Sequence, residues 1–282
     1  MDNRFVVLTE YYRSSRNDRY KEIVKSIEVN CRIEHTKQVV LFMDSTTPFP
    51  QELKEVLSEE HFKKIKIHYI RPNDRARYGD FFSYANEHLE GERCILCNND
   101  ISFDESLELL NGFDLDGHFI CLTRWDLMRD NSLRFKQPER IRKNSQDAWI
   151  FTAPLPVKMI QRGQYYMGRP GCDGMTSYLA TISGLKIMNP SEAIKAKHLH
   201  LCRYRTYGRQ HRMGGDDIYM CVYPHDKVEY VPEKVMHRKD NPNKKDEKIE
   251  WYGQEAVSIV MKEELDSERY WIHALKKCME TK

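Results

Sequence analysis

Four short apolar segments dominate the first hundred residues and constrain the fold more than any other feature. They lie at 5–8, 38–43, 64–70 and 94–97, and the segment at 64–70 alternates strictly between apolar and polar residues. Between them, apolar residues recur at helical spacing, most clearly from Tyr78 to Leu89, and Gly91 follows as a stop signal. Strands that alternate with helices through short connections are typical of a mostly parallel sheet covered by helices. The sequence therefore predicts an α/β fold.

The second half of the chain has a weaker pattern. Residues 233–250 are rich in Lys, Asp and Asn and contain two prolines, which predicts a linker or a long exposed loop. Residues 254–280 have a composition that allows a helix packing back on the domain. We therefore expect one domain over 1–225, followed by a charged and helical appendage over 226–282.

The charge balance excludes some classes of protein. The 282 residues include 45 basic and 43 acidic side chains, which leaves a net charge of only +2. A protein whose main task is to coat nucleic acid usually has a larger basic surplus. The first residues lack the apolar stretch of a signal peptide, and no window is long enough to span a membrane. We expect a cytoplasmic protein without a membrane span.

The fourth apolar segment ends in Asn98-Asn99-Asp100, the sharpest chemical feature of the chain. In open α/β sheets, ligands bind at the carboxyl ends of the strands. A carboxylate at this position could hold a divalent cation, which prefers oxygen ligands. Asn and Asp also favour Asx turns, which need no ligand. The spacing leaves both interpretations open.

Asp173 follows the turn Gly168-Arg169-Pro170-Gly171 and precedes a helical pattern. Asp is a common N-cap residue, and this role alone would explain it. A carboxylate at a helix start that faces a cleft can equally act as a general base. Asn189 and Pro190 predict the start of another helix.

Two further groups in the later chain could bind ligands. His198 and His200 would lie on one face of an extended segment, either as metal ligands or as an ordinary surface or core pair. Six Lys and Arg residues fall between 195 and 212, a stretch without acidic residues. Such a run suits phosphate groups or nucleic acid, although most runs of this size are solvated loops.

Taken together, these residues resemble the nucleotide-sugar glycosyltransferases of the GT-A fold, and are similar to leaderless cytosolic enzymes of bacteria and large algal DNA viruses. That family has a Rossmann-like, mixed and mostly parallel sheet flanked by helices, with a DXD motif after the fourth strand. Asn98-Asn99-Asp100 stands at the DXD position, and Asp173 at that of the base. His198 or His200 matches a late histidine of the metal site. Asn98 departs from the pattern, because it replaces the first acid.

The resemblance implies an inverting, metal-dependent glycosyltransferase that moves xylose or a hexose from a UDP-sugar to a hydroxyl of a glycan or glycoprotein. Mn²⁺ or Mg²⁺ would be held by Asp100 with His198 or His200, and Asp173 would be the catalytic base. The residues implied at the nucleotide are Thr9, Tyr11, Arg13, Arg77, Asp80, Asn98 and Asn99. Those implied at the sugar and acceptor are Arg124, Trp125, Asp126, Asp147 and Trp149.

Two alternatives come from other classes of protein. A sugar-nucleotidyltransferase on a related sheet normally has a glycine-rich loop after the first strand, whereas residues 9–15 contain no glycine. A nucleic-acid-binding protein could use the basic run at 195–212, and steep salt dependence of binding would reveal it. The balanced net charge speaks against this alternative.

Overall fold

The computed structural model describes residues 2–135, 145–202, 204 and 220–232, together with the backbone of two strands at 235–239 and 250–253. The strands are β1 (Phe5–Tyr11), β2 (Thr36–Asp44), β3 (Ile65–Ile70), β4 (Arg93–Cys97), β5 (Ile101–Ser102), β6 (His118–Leu127), β7 (Leu133–Arg134), β8 (Gln146–Thr152), β9 (Lys186–Met188), β10 (Ala196–His198), β11 (Met220–Val222), β12 (Val235–Lys239) and β13 (Glu250–Gly253). The helices are α1 (Asn17–Arg32), α2 (Glu52–Val56), α3 (Glu59–Phe62), α4 (Tyr78–His88), α5 (Val157–Arg162) and α6 (Cys172–Ile182).

Ten of the strands form one sheet. Its order is β3-β2-β1-β4-β8-β6-β10-β5, with β7 and β9 also paired to β6. Strands β1 to β4 are mutually parallel where they pair, whereas β8 runs antiparallel to both β4 and β6. The predicted mixed, mostly parallel α/β sheet with flanking helices is therefore confirmed, and the carboxyl ends of β1 and β4 meet at one edge.

The core lies on both faces of this sheet, because successive side chains of a buried strand point to opposite sides. In β1, Val6 and Leu8 join the cluster that includes α4, whereas Phe5 and Val7 join the cluster that includes α1. Burial on both faces explains why the apolar residues of β1 are continuous, whereas β3, at the edge of the sheet, alternates and is only partly buried. It also fixes α1 and α4 on opposite sides of the strand ends.

The later chain departs from two predictions. Asn189 and Pro190 do not start a helix, because the Asn189 side chain is used in tertiary contacts with the Thr123 backbone amide (3.1 Å) and the Val222 carbonyl (2.9 Å). The predicted linker at 233–250 contains β12, which joins β11 and β13 in a separate antiparallel sheet.

The helix predicted at 254–280 lies outside the described residues, so the appendage of 226–282 stays a prediction. Within the described part of the chain, no helix combines the length and apolar character needed to cross a membrane.

Candidate active site

A cleft of about 680 Å³ opens at the edge where the carboxyl ends of β1 and β4 meet. Its walls come from segments that are far apart in the sequence, including the segment after β10 and the turn before α6. The lining residues are Glu10, Tyr12, Arg19, Arg75, Asn98, Asn99, Asp100, Arg124, Asp147, Met167, Gly168, His198, His200 and Tyr204. The site therefore lies where the parallel half of an α/β sheet is expected to bind its ligand.

Asp100 is the centre of this cleft, although only 5% of its surface is exposed. Its Oδ2 atom accepts a hydrogen bond from Arg19 Nη2 at 2.7 Å and lies 3.1 Å from His198 Nε2 and 3.6 Å from His200 Nδ1. Burial alone would raise the pKa of this carboxyl. The positive partners His198 and Arg19 outweigh burial and hold the pKa well below its usual range, so Asp100 is an anion.

The two histidines have different environments. His198 lies between two carboxylates, with Nε2 near Asp100 and Nδ1 3.1 Å from Asp126 Oδ1. Burial lowers the pKa of His198, but Asp100 and Asp126 outweigh burial and raise it overall, which favours the imidazolium. His200 has its Nε2 2.9 Å from the Tyr204 carbonyl, so Nε2 carries a proton.

Burial, followed by the charge of Arg19, lowers the pKa of His200 and favours the neutral ring. The Nδ1 lone pair of that ring then faces Asp100. A backbone carbonyl that accepts the proton of the other ring nitrogen, and so fixes the tautomer, is typical of metal-binding histidines. His200 is thus better prepared than His198 to bind a metal ion.

These three side chains fit a divalent cation. The ligand atoms of Asp100, His198 and His200 all lie within 4.8 Å of one another. One carboxylate with imidazole nitrogens suits Mn²⁺ better than Mg²⁺, which prefers oxygen ligands. His200 also belongs to a second such group with Glu22 and Cys202.

Two arginine side chains that line the cleft form ion pairs with acidic residues. Arg75 contacts Glu10 through two bonds, of which the shorter joins Nη2 and Oε2 at 2.5 Å. Arg124 contacts Asp147 at 2.9 Å and Asp126 at 3.2 Å. The guanidinium groups are therefore oriented before any ligand arrives, and they suit an anion such as a phosphate.

Asp173 lies in the first turn of α6. The N-cap is Gly171, in the left-handed region at φ +93°, so Asp173 is the second residue of the helix and not its cap. The Cys172 thiol donates a hydrogen bond to Asp173 Oδ1 at 3.1 Å. Burial, followed by the neighbouring charge of Asp147, raises the pKa of Asp173 to about 8. Asp173 is not among the residues that line the cleft, but Asp147, whose charge acts on it, is. The raised pKa makes the Asp173 carboxyl a candidate for proton transfer next to the cleft.

Several residues implied at the nucleotide do not line the cleft. Thr9 and Tyr11 are buried within β1, and their neighbours Glu10 and Tyr12 face the cleft instead. The expected residues and the observed ones differ by one position, because successive side chains of a strand point to opposite faces. Arg13 lies over the Tyr20 ring at 4.6 Å.

Arg77 and Asp80, also implied at the nucleotide, are the N-cap residue and the third helical residue of α4. The Arg77 backbone amide donates to Asp80 Oδ2 at 2.8 Å. The Asp80 side chain is thereby used in starting the helix, whereas the Arg77 guanidinium lies over the Tyr166 ring at 5.4 Å. Sequence reasoning missed Arg75, which lies two residues earlier and lines the cleft.

Of the residues implied at the sugar and acceptor, some line the cleft and others do not. Arg124 and Asp147 line the cleft, and Asp126 contacts His198 beside it. Trp149 is fully buried in the core, 5.1 Å from the Tyr78 ring centroid, so it cannot stack on a sugar there. Trp125 donates its indole N–H to the Ser191 carbonyl at 2.6 Å and lies outside the cleft lining.

Asn98 and Asn99 line the cleft with Asp100. Asn98 Nδ2 donates to Asp147 Oδ1 at 2.7 Å, and Asn99 Oδ1 accepts from Arg19 Nη2 at 3.3 Å. Both amides thus orient charged side chains. No local feature of the sequence identifies Arg19 as a residue of the cleft, which it enters from α1.

Most members of the basic run at 195–212 lie outside the described residues.

No protein-family model matches this sequence, and no curated protein matches it. Among solved structures, the chain is similar to a mannosyltransferase, PcManGT from Pyrobaculum calidifontis, in complex with GDP-Man and Mn²⁺ (11% identity, TM-score 0.45, 71% of this chain and 58% of that chain). It is also similar to S. aureus TarS (15% identity, TM-score 0.47, 70% and 37%). A third is 4-diphosphocytidyl-2C-methyl-D-erythritol synthase from Anaerococcus prevotii (11% identity, TM-score 0.38, 67% and 88%).

The matched region spans 58% of PcManGT and 37% of TarS, so this chain corresponds to part of each.

Proposed function

We propose that this protein is a metal-dependent glycosyltransferase that transfers a sugar from a nucleoside-diphosphate sugar to a hydroxyl group of a glycan or glycoprotein. The observation that carries the proposal is the grouping of Asp100, His198 and His200 in an arginine-lined cleft at the carboxyl ends of β1 and β4. A UDP-sugar with xylose or a hexose is the donor that we expect from the resemblance in the sequence.

The charges of the cleft suit a diphosphate. Arg19, Arg75 and Arg124 line it, and each is already oriented by a carboxylate partner. Asp100 and His200, with His198 beside them, would hold Mn²⁺, which would neutralise the diphosphate as a Lewis acid. Arginine forks add directional hydrogen bonds to phosphate oxygens.

Asp173 would accept the proton of the acceptor hydroxyl. In a single displacement, the acceptor oxygen forms a bond to the anomeric carbon while its proton passes to the Asp173 carboxylate. The bond from the anomeric carbon to the diphosphate oxygen breaks, and the nucleoside diphosphate leaves with the electron pair. Attack opposite the leaving group inverts the configuration at that carbon. Cys172 would orient the base through its thiol, 3.1 Å from Asp173 Oδ1.

The test is a screen of UDP- and GDP-sugars for slow donor hydrolysis with Mn²⁺, because this reports the donor before the acceptor is known. We expect one sugar class to release nucleoside diphosphate, and we expect Asp100→Asn and Asp173→Asn to abolish the release. Asp116→Asn, at an exposed aspartate, is the matched control and should retain full activity. Release of pyrophosphate from a nucleoside triphosphate and a sugar phosphate would instead identify a nucleotidyltransferase.

A further inference from the structure

The guanidinium of Arg19 contacts the same oxygen of Asp100 that a metal ion would bind. The side chain enters from the first turn of α1 and is 6% exposed. One guanidinium bonds Asp100 Oδ2 at 2.7 Å, Asn99 Oδ1 at 3.3 Å and Glu22 Oε2 at 3.3 Å. This single cation thus neutralises one carboxylate from each of the two groups of metal-ligating side chains, Asp100–His198–His200 and Glu22–His200–Cys202.

The guanidinium and a divalent cation compete for the same buried oxygen. The contacts of Arg19 and His198 with Asp100 both end on Oδ2, which is also the oxygen facing His200. Two cations on one carboxylate repel each other strongly where water is largely excluded. Binding of a metal ion at Asp100 therefore requires that Arg19 loosen this contact, which leaves the guanidinium with Glu22, at 3.3 Å, as its carboxylate partner.

We propose that Arg19 couples metal binding to nucleotide binding: it neutralises Asp100 in the free protein and turns to the diphosphate when the nucleotide arrives. The inference rests on the proposed function, because the nucleotide diphosphate is the anion that releases Arg19. Metal alone binds weakly, since the ion displaces the shorter of the two carboxylate contacts of Arg19 and leaves only the longer one, to Glu22. Metal together with the diphosphate binds well, since the guanidinium exchanges one anion for another.

The coupling is reciprocal and can be measured at equilibrium. The experiment measures the dissociation constant of Mn²⁺ from its free electron-paramagnetic-resonance signal, with and without saturating UDP or GDP. In the wild type, we expect the nucleotide to tighten Mn²⁺ binding about tenfold or more. In Arg19→Gln, we expect Mn²⁺ alone to bind about tenfold tighter than in the wild type, with the gain from nucleotide reduced to about threefold or less.

Three further variants test whether a change in Mn²⁺ affinity comes from competition with Arg19 at Asp100 or from an unrelated effect of the substitution. Arg32→Gln removes an exposed arginine of the same helix, paired with Glu28 at 3.0 Å, and should leave Mn²⁺ binding unchanged. Arg19→Lys keeps the charge without the fork and should give an intermediate affinity, which provides a second variant if Arg19→Gln does not fold. Adding Asp100→Asn to Arg19→Gln should remove the gain; its persistence would place the ion at the Glu22 group and overturn the inference.

The inference and the proposed function fail in different ways. If the wild type binds neither UDP nor GDP with Mn²⁺ present, the proposed function is wrong, and tighter Mn²⁺ binding in Arg19→Gln would then support only the competition at Asp100. If the wild type binds nucleotide with Mn²⁺ while folded Arg19→Gln and Arg19→Lys bind Mn²⁺ as weakly as the wild type, the inference is wrong and the proposed function stands.

Discussion

Asp173 makes the pH dependence of the reaction a direct test of the proposed base. Burial and the charge of Asp147 raise its pKa to about 8. A base must be ionised to accept a proton, so the active fraction rises as the pH passes through this value. One pH unit changes the ratio of ionised to protonated form tenfold, so about one-tenth of the protein is active at pH 7 and about nine-tenths at pH 9. We expect roughly a tenfold rise in rate over this interval.

The assay is the initial rate of donor turnover at subsaturating substrate from pH 6 to 9.5, which reports groups of the free enzyme. Cys172→Ala links the profile to Asp173, because the thiol bond to Oδ1 lowers the pKa of this carboxyl. Its loss should move the profile to higher pH. Cys31→Ala removes an equally buried thiol from the core on the α1 side and should leave the profile unchanged.

The reasoning is refuted by a rate that stays constant between pH 7 and 9, or by substantial activity in Asp173→Asn. A profile that responds equally to the two cysteine variants would show that general loosening of the core, rather than the contact with Asp173, controls it.

Three further predictions concern stability, each measured by urea unfolding. Trp149→Ala should lower the free energy of unfolding by about 3–5 kcal/mol, since the ring is fully buried in the core. An unchanged free energy of unfolding would contradict this position. Asn30→Ala should cost about 1–3 kcal/mol, because Asn30 bonds the Ile101 carbonyl at 2.9 Å and the Phe103 amide at 3.1 Å. Gly163→Ala should lower the free energy of unfolding by about 1–3 kcal/mol. The reason is that its Cβ would lie 2.6 Å from the Met159 carbonyl oxygen and 2.7 Å from the Gly79 amide nitrogen. Wild-type stability would show that α5 adjusts freely.

The part of the fold that the sequence predicts is local. Strands and helices up to Cys97 follow from apolar runs and helical spacing, and the position of Asp100 after a buried strand follows from them. The insertion of β8 between β4 and β6 has no local signal, because it brings together residues about 50 positions apart. Asp147 reaches the cleft through this pairing.

The differences between the expected site residues and those that line the cleft have physical reasons. A buried strand is apolar on both faces, so composition cannot decide whether Thr9 or Glu10 faces the cleft. The same ambiguity placed Trp149 at the sugar, although it packs in the core. Arg19 was not predicted, because a charged residue in the first turn of a helix looks like any solvated one until the fold places it against Asp100.

Helix α1 contacts both Asp100 and the segment that follows it. Near its start, Arg19 holds the carboxylate itself, and near its end, Asn30 holds the backbone on both sides of Ser102. The two residues are about 16 Å apart along a rigid helix. Ile101 in turn pairs with His198 in β5 and β10. Helix α1 therefore connects the carboxylate of Asp100 with the strand pair that carries His198, and transplanting this cleft onto another scaffold would require α1 to be transplanted with it.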